Sequence, residues 1–138
     1  MAAPAGDRPL RVLVVDDDRD NVDSLGILLQ AWNCSPILAY DGVSALEKCR
    51  SLQPDVVLLD LGLPQLDGLS VARQMRALAG MESVFLIALT GFGQVTDRRL
   101  SQEAGFDLHL LKPVDPAQLR QLLAEIAGRL LGASATIL

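Results

Sequence analysis

The sequence is poor in aromatic side chains, histidine and cysteine. Its 138 residues include one Trp, one Tyr, three Phe, one His and two Cys. At 4% aromatics there are no platforms on which bases could stack, and the core has to be aliphatic. No run of Lys or Arg occurs, and the net charge is -5. The basic face that direct nucleic-acid binding needs is therefore missing. The longest apolar run, Val84 to Leu89, is far too short to span a bilayer, so no membrane insertion is expected. Cys34 and Cys49 lack CxxC spacing and a nearby ligand cluster, and read as free thiols of a reducing compartment. Met1 to Pro9 is Ala/Pro-rich without the apolar centre of a secretory signal. The expected location is cytoplasmic.

What is present is a folding domain. Apolar residues make up 50% and charged residues 21%, with a mean hydropathy of +0.31. That excludes a disordered chain. A chain of this length buries roughly two thirds of its unfolded surface without needing disulfides or metals.

After a leader at 1–10, β-branched runs and helical patterns alternate five times. The expected strands are Arg11 to Val15, Ser35 to Ala39, Asp55 to Asp60, Val84 to Thr90 and Leu108 to Leu111. The first helix is expected over Asn21 to Trp32, with Val22, Leu25, Leu28, Leu29 and Trp32 on one stripe. Asp41 caps a second, carrying Val43, Leu46 and Cys49. Asp67-Gly68 opens a third through Val71, Ala72 and Met75, stopping near Gly80. Thr96 to Ala104 is a fourth with a thin stripe, mainly Leu100 and Ala104. Asp115-Pro116 starts a fifth with Leu119, Leu122, Leu123, Ile126 and Leu130, and Gly132 caps it. The domain is placed at 11–131, and 132–138 reads as a tail or truncated linker. Alternation of this kind predicts an α/β fold, a doubly wound parallel sheet. Ser35 and Pro36 put the second strand near an edge.

Ligands of such sheets bind beyond the carboxyl ends of the strands. Those ends carry Asp16-Asp17-Asp18, Asp60, Thr90-Gly91 and Lys112-Pro113. Any one of them alone is an ordinary solvated residue. Together they bring acids, a hydroxyl and an ammonium to one edge. Clustered carboxylates repel unless a cation joins them, and hard oxygen ligands suit Mg²⁺. A carboxylate beside Mg²⁺ and a lysine can act as a nucleophile toward a phosphoryl group.

The stretches Val12 to Asp18, Val57 to Pro64 with Asp67-Gly68, Ala88 to Gly91 and Leu111 to Val114 resemble the receiver domain of bacterial two-component response regulators. Their wording is most like receivers attached to hybrid sensor histidine kinases. The resemblance implies a flavodoxin-like (βα)5 sheet with strand order 2-1-3-4-5. It makes Asp60 the phosphoacceptor and Asp17 a direct Mg²⁺ (or Mn²⁺) ligand. Asp16 acts beside Asp17 through water, and the Gly62 backbone carbonyl completes the metal set. Thr90 and Lys112 bind the phosphoryl group, and Lys112-Pro113 is a cis peptide. Asp18 is given a solvated or capping role. Gly62 and Phe92 gate water access to the acyl phosphate. His109 occupies a switch position usually held by Tyr or Phe. It serves there as an aromatic body with a polar tip, or it makes the output pH-sensitive. The implied partner is a histidine kinase or histidine phosphotransfer domain. The implied output, and a place for a homodimer, is the face of the fourth helix, fifth strand and fifth helix. Such a chain is not an enzyme beyond self-catalysed phosphoryl transfer and autodephosphorylation.

Two other classes fit less well. A Mg²⁺-dependent aspartyl-phosphate phosphohydrolase needs a second acid two residues after its nucleophile, where this chain has Gly62. An FMN carrier needs a phosphate loop after the first strand, where Asp16 to Asp18 repel phosphate.

Overall fold

The computed structural model describes residues 8–62, 67–91 and 98–130. The elements run β1 (Arg11–Val15), α1 (Arg19–Ala31), β2 (Ser35–Ala39), α2 (Gly42–Leu52), β3 (Val56–Asp60), α3 (Gly68–Ala77), β4 (Phe85–Thr90), α4 (Arg98–Ala104), β5 (Leu108–Leu111) and α5 (Pro116–Leu130). The strands form one parallel sheet in the order β2-β1-β3-β4-β5. β2 lies at an edge, where Pro36 withholds no ladder bond from a second neighbour.

Side chains alternate across each strand and build a separate core on either face. Val12, Val14, Leu58, Ile87 and Leu89 face α1 and α5, where they meet Val22, Leu29, Trp32, Leu119 and Leu123. Leu13, Val15, Val57, Leu59, Leu86 and Ala88 pack with Ala45, Cys49, Val71, Ala72, Met75 and Ala104 of α2, α3 and α4. Trp32 is a packing residue in the first of these cores. Cys34 and Cys49 are both free and buried, and burial pushes their thiols up to about 11 and about 12.

Several expected details shift. α1 begins at Arg19 because Asp18 caps it, its carboxylate accepting from the Asn21 N–H. β3 and β4 each start one residue later than expected, and α3 ends at Ala77, short of Gly80, where Leu78 turns extended. Val43 is 61% exposed; α2 instead buries the small residues Gly42, Ala45 and Cys49. On α4 Ala104 is buried but Leu100 is 37% exposed, and Ser101 is the fully buried neighbour. Phe92, Thr96 and Gly132 lie outside the described residues.

Arg76 on α3 ties the lower ends of several elements together. Its guanidinium donates to the carbonyls of Gly105 (2.6 Å), Val84 (2.5 Å) and Glu82 (3.1 Å), and to Asp107 (2.9 Å). Asp107 also accepts the Leu86 N–H. Gly105 closes α4 at φ +108°, and a Cβ there would lie 2.7 Å from Arg76 Cγ. Arg76→Met keeps the stem but strips every donor. It should cost about 2 kcal/mol in a urea titration, because partly buried carbonyls lose a charged partner. A midpoint equal to wild type would refute this clamp.

Candidate functional site

All five strands are parallel, so their carboxyl ends share one edge. The order reverses between β1 and β3, and helices leave on opposite faces there, opening a crevice. Asp16 follows the last residue of β1, and Asp60 and Thr90 are the last residues of β3 and β4. Lys112 follows β5. The helix after β3 is held close by Gly68: a Cβ at that position would lie 2.7 Å from Leu61 Cα and 2.9 Å from the Asp60 carbonyl oxygen. Only glycine lets the α3 N-terminus approach the strand end this closely.

Asp16 and Asp60 are 1% and 5% exposed. Lys112 Nζ bridges them, at 3.2 Å from Asp16 Oδ2 and 3.4 Å from Asp60 Oδ2. Asp16 Oδ1 accepts from the Asp18 N–H (3.1 Å) and its Oδ2 from Asn21 Nδ2 (2.9 Å). Asp60 Oδ1 accepts the Gly62 N–H at 3.1 Å. The Thr90 hydroxyl is buried and donates to the Leu110 carbonyl at 3.5 Å, a long and weak bond. The Thr90 carbonyl accepts the Lys112 N–H at 2.7 Å, which fixes the start of the Lys112 loop. Lys112-Pro113 is cis.

The charges are unevenly held. For Asp60, burial pushes the carboxyl above its ordinary value. The Gly62 N–H and Lys112 oppose this, but the Asp16 charge reinforces it. Asp16 is also pushed up by burial, yet the Asp18 N–H, Asn21 and Lys112 outweigh that and leave it below the ordinary value. Burial would lower Lys112, but the two carboxylates win and hold it above the usual amine range. Asp60 is thus the acid least content to be charged.

Exposed Asp17 joins buried Asp16 and Asp60 in an acidic group: one oxygen from each of the three carboxylates lies within 4.8 Å of the others. Ligands about 2.1 Å from a Mg²⁺ sit up to about 4.2 Å apart, so a small side-chain adjustment brings the three around one ion. The all-oxygen donor set fits a hard divalent cation.

The structure thus brings together Asp16, Asp17, Asp60, Gly62 and Lys112, with Thr90 on the adjacent strand end. His109 lies on β5 in register with Ala88, two residues below the Thr90 level. Its ring centre is 6.1 Å from that of Phe106, and it lines a groove with Gln118, Gln121, Leu122 and Glu125. Sequence reasoning missed Asn21, which touches Asp16 from the first turn of α1. Its signal was available: a donor amide five residues after a strand-end acid, at the third position of a capped helix.

Comparison with known proteins agrees with this geometry. A family model described as the response regulator receiver domain matches residues 12–124. The DNA-binding response regulator MtrA of Mycolicibacterium paratuberculosis is 39% identical over 120 residues, covering 87% of this chain and 51% of the relative. The response regulator MprA of Mycobacterium sp. strain KMS is 40% identical over 122 residues, covering 88% and 51%. The chain therefore spans about half the length of the curated relatives it matches. Among solved structures, a receiver domain of the sensor histidine kinase PA1611 from Pseudomonas aeruginosa, with magnesium coordinated in its active-site cleft, has TM-score 0.76 at 30% identity, covering 91% of this chain and 99% of that one. A putative response regulator from Chloroflexus aurantiacus has TM-score 0.79 at 27% identity, covering 88% and 100%. The flavodoxin-like architecture expected from the sequence is the observed one, and the chain belongs to the response regulator receiver domain family.

Proposed function

We propose that this chain accepts a phosphoryl group on Asp60 from the phosphohistidine of a histidine kinase or histidine phosphotransfer domain. The observation that carries the reading is the buried Asp60 carboxylate at the end of β3, grouped with Asp16 and Asp17 and with Lys112 Nζ 3.4 Å away. In the transfer one Asp60 oxygen attacks phosphorus, and the bond from phosphorus to the imidazole nitrogen breaks, its electron pair returning to that nitrogen. Asp16, Asp17, Asp60 and the Gly62 carbonyl would hold Mg²⁺ or Mn²⁺. When bound, the ion supplies positive charge for the phosphoryl oxygens. Lys112 places a point charge on a phosphoryl oxygen, and Thr90 exchanges its weak bond to Leu110 for the new oxygen acceptor. Catalysis here is positioning and charge neutralisation, with no turnover chemistry beyond transfer and hydrolysis.

Movement of Thr90 would be passed to α4, β5 and α5, with His109 in the strand between them. α4 has seven residues, and its partly exposed Leu100 holds it loosely on the upper side. The same face is our candidate for a homodimer. Residues 11–131 would form the functional unit. No described helix is long and apolar enough to cross a membrane; the location we propose is cytoplasmic. The PA1611 neighbour, a kinase receiver, supports attachment to a hybrid histidine kinase, whereas the MtrA relatives are DNA-binding regulators.

The test is direct. Acetyl phosphate with Mg²⁺ should add one phosphoryl group to the intact mass of wild type and none to Asp60→Asn. Omission of Mg²⁺ should suppress the gain. Equal labelling of the two proteins would overturn the assignment of Asp60.

Gly62 also controls how long the acyl phosphate lasts. A Cβ at this position would sit 3.6 Å and 3.9 Å from the two Asp60 carboxylate oxygens, in ordinary contact. Glycine therefore leaves one side of Asp60 open to water. Gly62→Leu should lengthen the phosphoryl half-life several-fold, as followed by phosphate release; a shorter half-life would contradict the gating role.

A further inference from the structure

We infer that Asn21 is a positioning residue for the metal site, holding Asp16 in its ligating orientation independently of Lys112. The inference rests on the reading of Asp16 and Asp60 given above. Asp16 is 1% exposed, so its oxygens depend on protein donors rather than water. Three groups supply them: the Asp18 N–H to Oδ1, and Asn21 Nδ2 (2.9 Å) and Lys112 Nζ (3.2 Å) to Oδ2. A carboxylate only accepts, so the Asn21 amide must turn its NH₂ toward it.

The two donors on Oδ2 differ in loyalty. Lys112 is shared with Asp60, and phosphoryl binding would draw it away. Asn21 is rooted elsewhere. It sits in the first turn of α1, and its backbone N–H is fixed by the Asp18 carboxylate at 3.3 Å. Asp16 and Asp18 thus grip α1 at adjacent points, and Asn21 returns one donor to Asp16. When Lys112 leaves, Asn21 keeps the buried oxygen satisfied and the carboxyl plane fixed. A neutral donor does this without adding positive charge to a cation site, which a lysine or arginine at the same place would do. Outer partners of metal ligands of this kind typically alter affinity by about 10–100-fold.

The experiment compares wild type, Asn21→Ala, Asn21→Met and Asp60→Asn. Mg²⁺ affinity is measured by calorimetry without any phosphodonor, then as the Mg²⁺ half-saturation of acetyl phosphate labelling. Alanine and methionine both favour the helix, and methionine keeps most of the side-chain volume. Both variants should bind Mg²⁺ about tenfold more weakly. Their labelling rate at saturating Mg²⁺ should stay within about twofold of wild type, because Asp60 and Lys112 are intact. A residue that merely supports the fold would lower the melting temperature and leave Mg²⁺ affinity unchanged; that result overturns the inference. Labelling of Asp60→Asn would instead overturn the reading on which it rests, so the two failures are distinguishable.

Discussion

Asp60→Asn is expected to melt higher than wild type in the absence of divalent cations, and lower than wild type when Mg²⁺ is saturating. Its Mg²⁺-free gain follows from the sign of the Asp60 shift. The folded-state carboxyl lies above its ordinary value because burial and the Asp16 charge outweigh the Gly62 N–H and Lys112. A group raised in this way contributes stability that is present below its unfolded value near 3.8 and is lost as pH rises through the folded value. At neutral pH its charge is a net cost. Asparagine removes that charge, while its carbonyl oxygen can still accept the Gly62 N–H. Lys112 keeps Asp16 as a partner at 3.2 Å. The expected gain is roughly 1 kcal/mol, or about 4 °C for a domain of this size. The reversal comes from linkage: a hundredfold excess of ligand over its Kd stabilises by about 2.7 kcal/mol, and the variant has lost a ligand oxygen. Scanning calorimetry of both proteins with EDTA and with excess Mg²⁺ checks it. Parallel responses to Mg²⁺ would count against Asp60 as part of the metal set. The gap in EDTA should shrink as pH falls and wild-type Asp60 takes up its proton, since its carboxyl lies above the ordinary value.

The same strand ends were readable before any coordinates, and for a physical reason. In a parallel sheet covered on both faces, strands are short apolar runs, and the first polar residue after each run must lie at the carboxyl edge. Asp16, Asp60, Thr90 and Lys112 all obey this, so their convergence follows from topology alone. Caps were equally legible. Asp18, Asp41 and Asp67 each stand three residues before the backbone N–H they accept from. Helix faces were harder. Val43 and Leu100 are apolar and fall in helical phase, but burial is decided by what lies opposite. The face of α2 that meets the sheet is made of Gly42, Ala45 and Cys49, because close packing there favours small residues. Ser101 takes the buried place on α4 that apolarity assigned to Leu100. Charged residues with structural work were also hidden. Arg76 in a last helical turn reads as solvated, and nothing in local sequence tells that Gly105, Val84 and Asp107 surround it. Asn21 was missed for the same reason, since its partner lies in the preceding loop rather than on its own helix.

Lys112→Ala should lose stability and yet bind Mg²⁺ more tightly, two effects of opposite sign from one charge. The ammonium sits 3.2 Å and 3.4 Å from two buried carboxylates, and its own side chain is 27% exposed. Removing one partner of a buried group leaves uncompensated charge, at a cost of about 3 kcal/mol. Asn21, Asp18 and Gly62 still donate to the acids, but none carries charge. The variant should respond to pH more steeply than wild type. Without Lys112 the Asp60 value rises further, so stability is kept below the unfolded carboxyl value and is lost as pH rises through the folded one. For wild type, the Lys112 contribution is complete below its unfolded value of 10.5 and disappears only as pH rises through the higher folded value. Mg²⁺ then acts as the missing cation. It should restore most of the lost stability in Lys112→Ala, and its Kd should fall about tenfold, because a like charge beside the binding oxygens is gone. Phosphoryl transfer should nevertheless slow, since no point charge meets the incoming phosphoryl oxygen. Calorimetric Mg²⁺ titrations and urea midpoints at pH 5 and pH 8 separate these effects. Weaker Mg²⁺ binding in the variant would mean that Lys112 orders the acids more than it repels the ion, and the electrostatic account of the site would have to be abandoned.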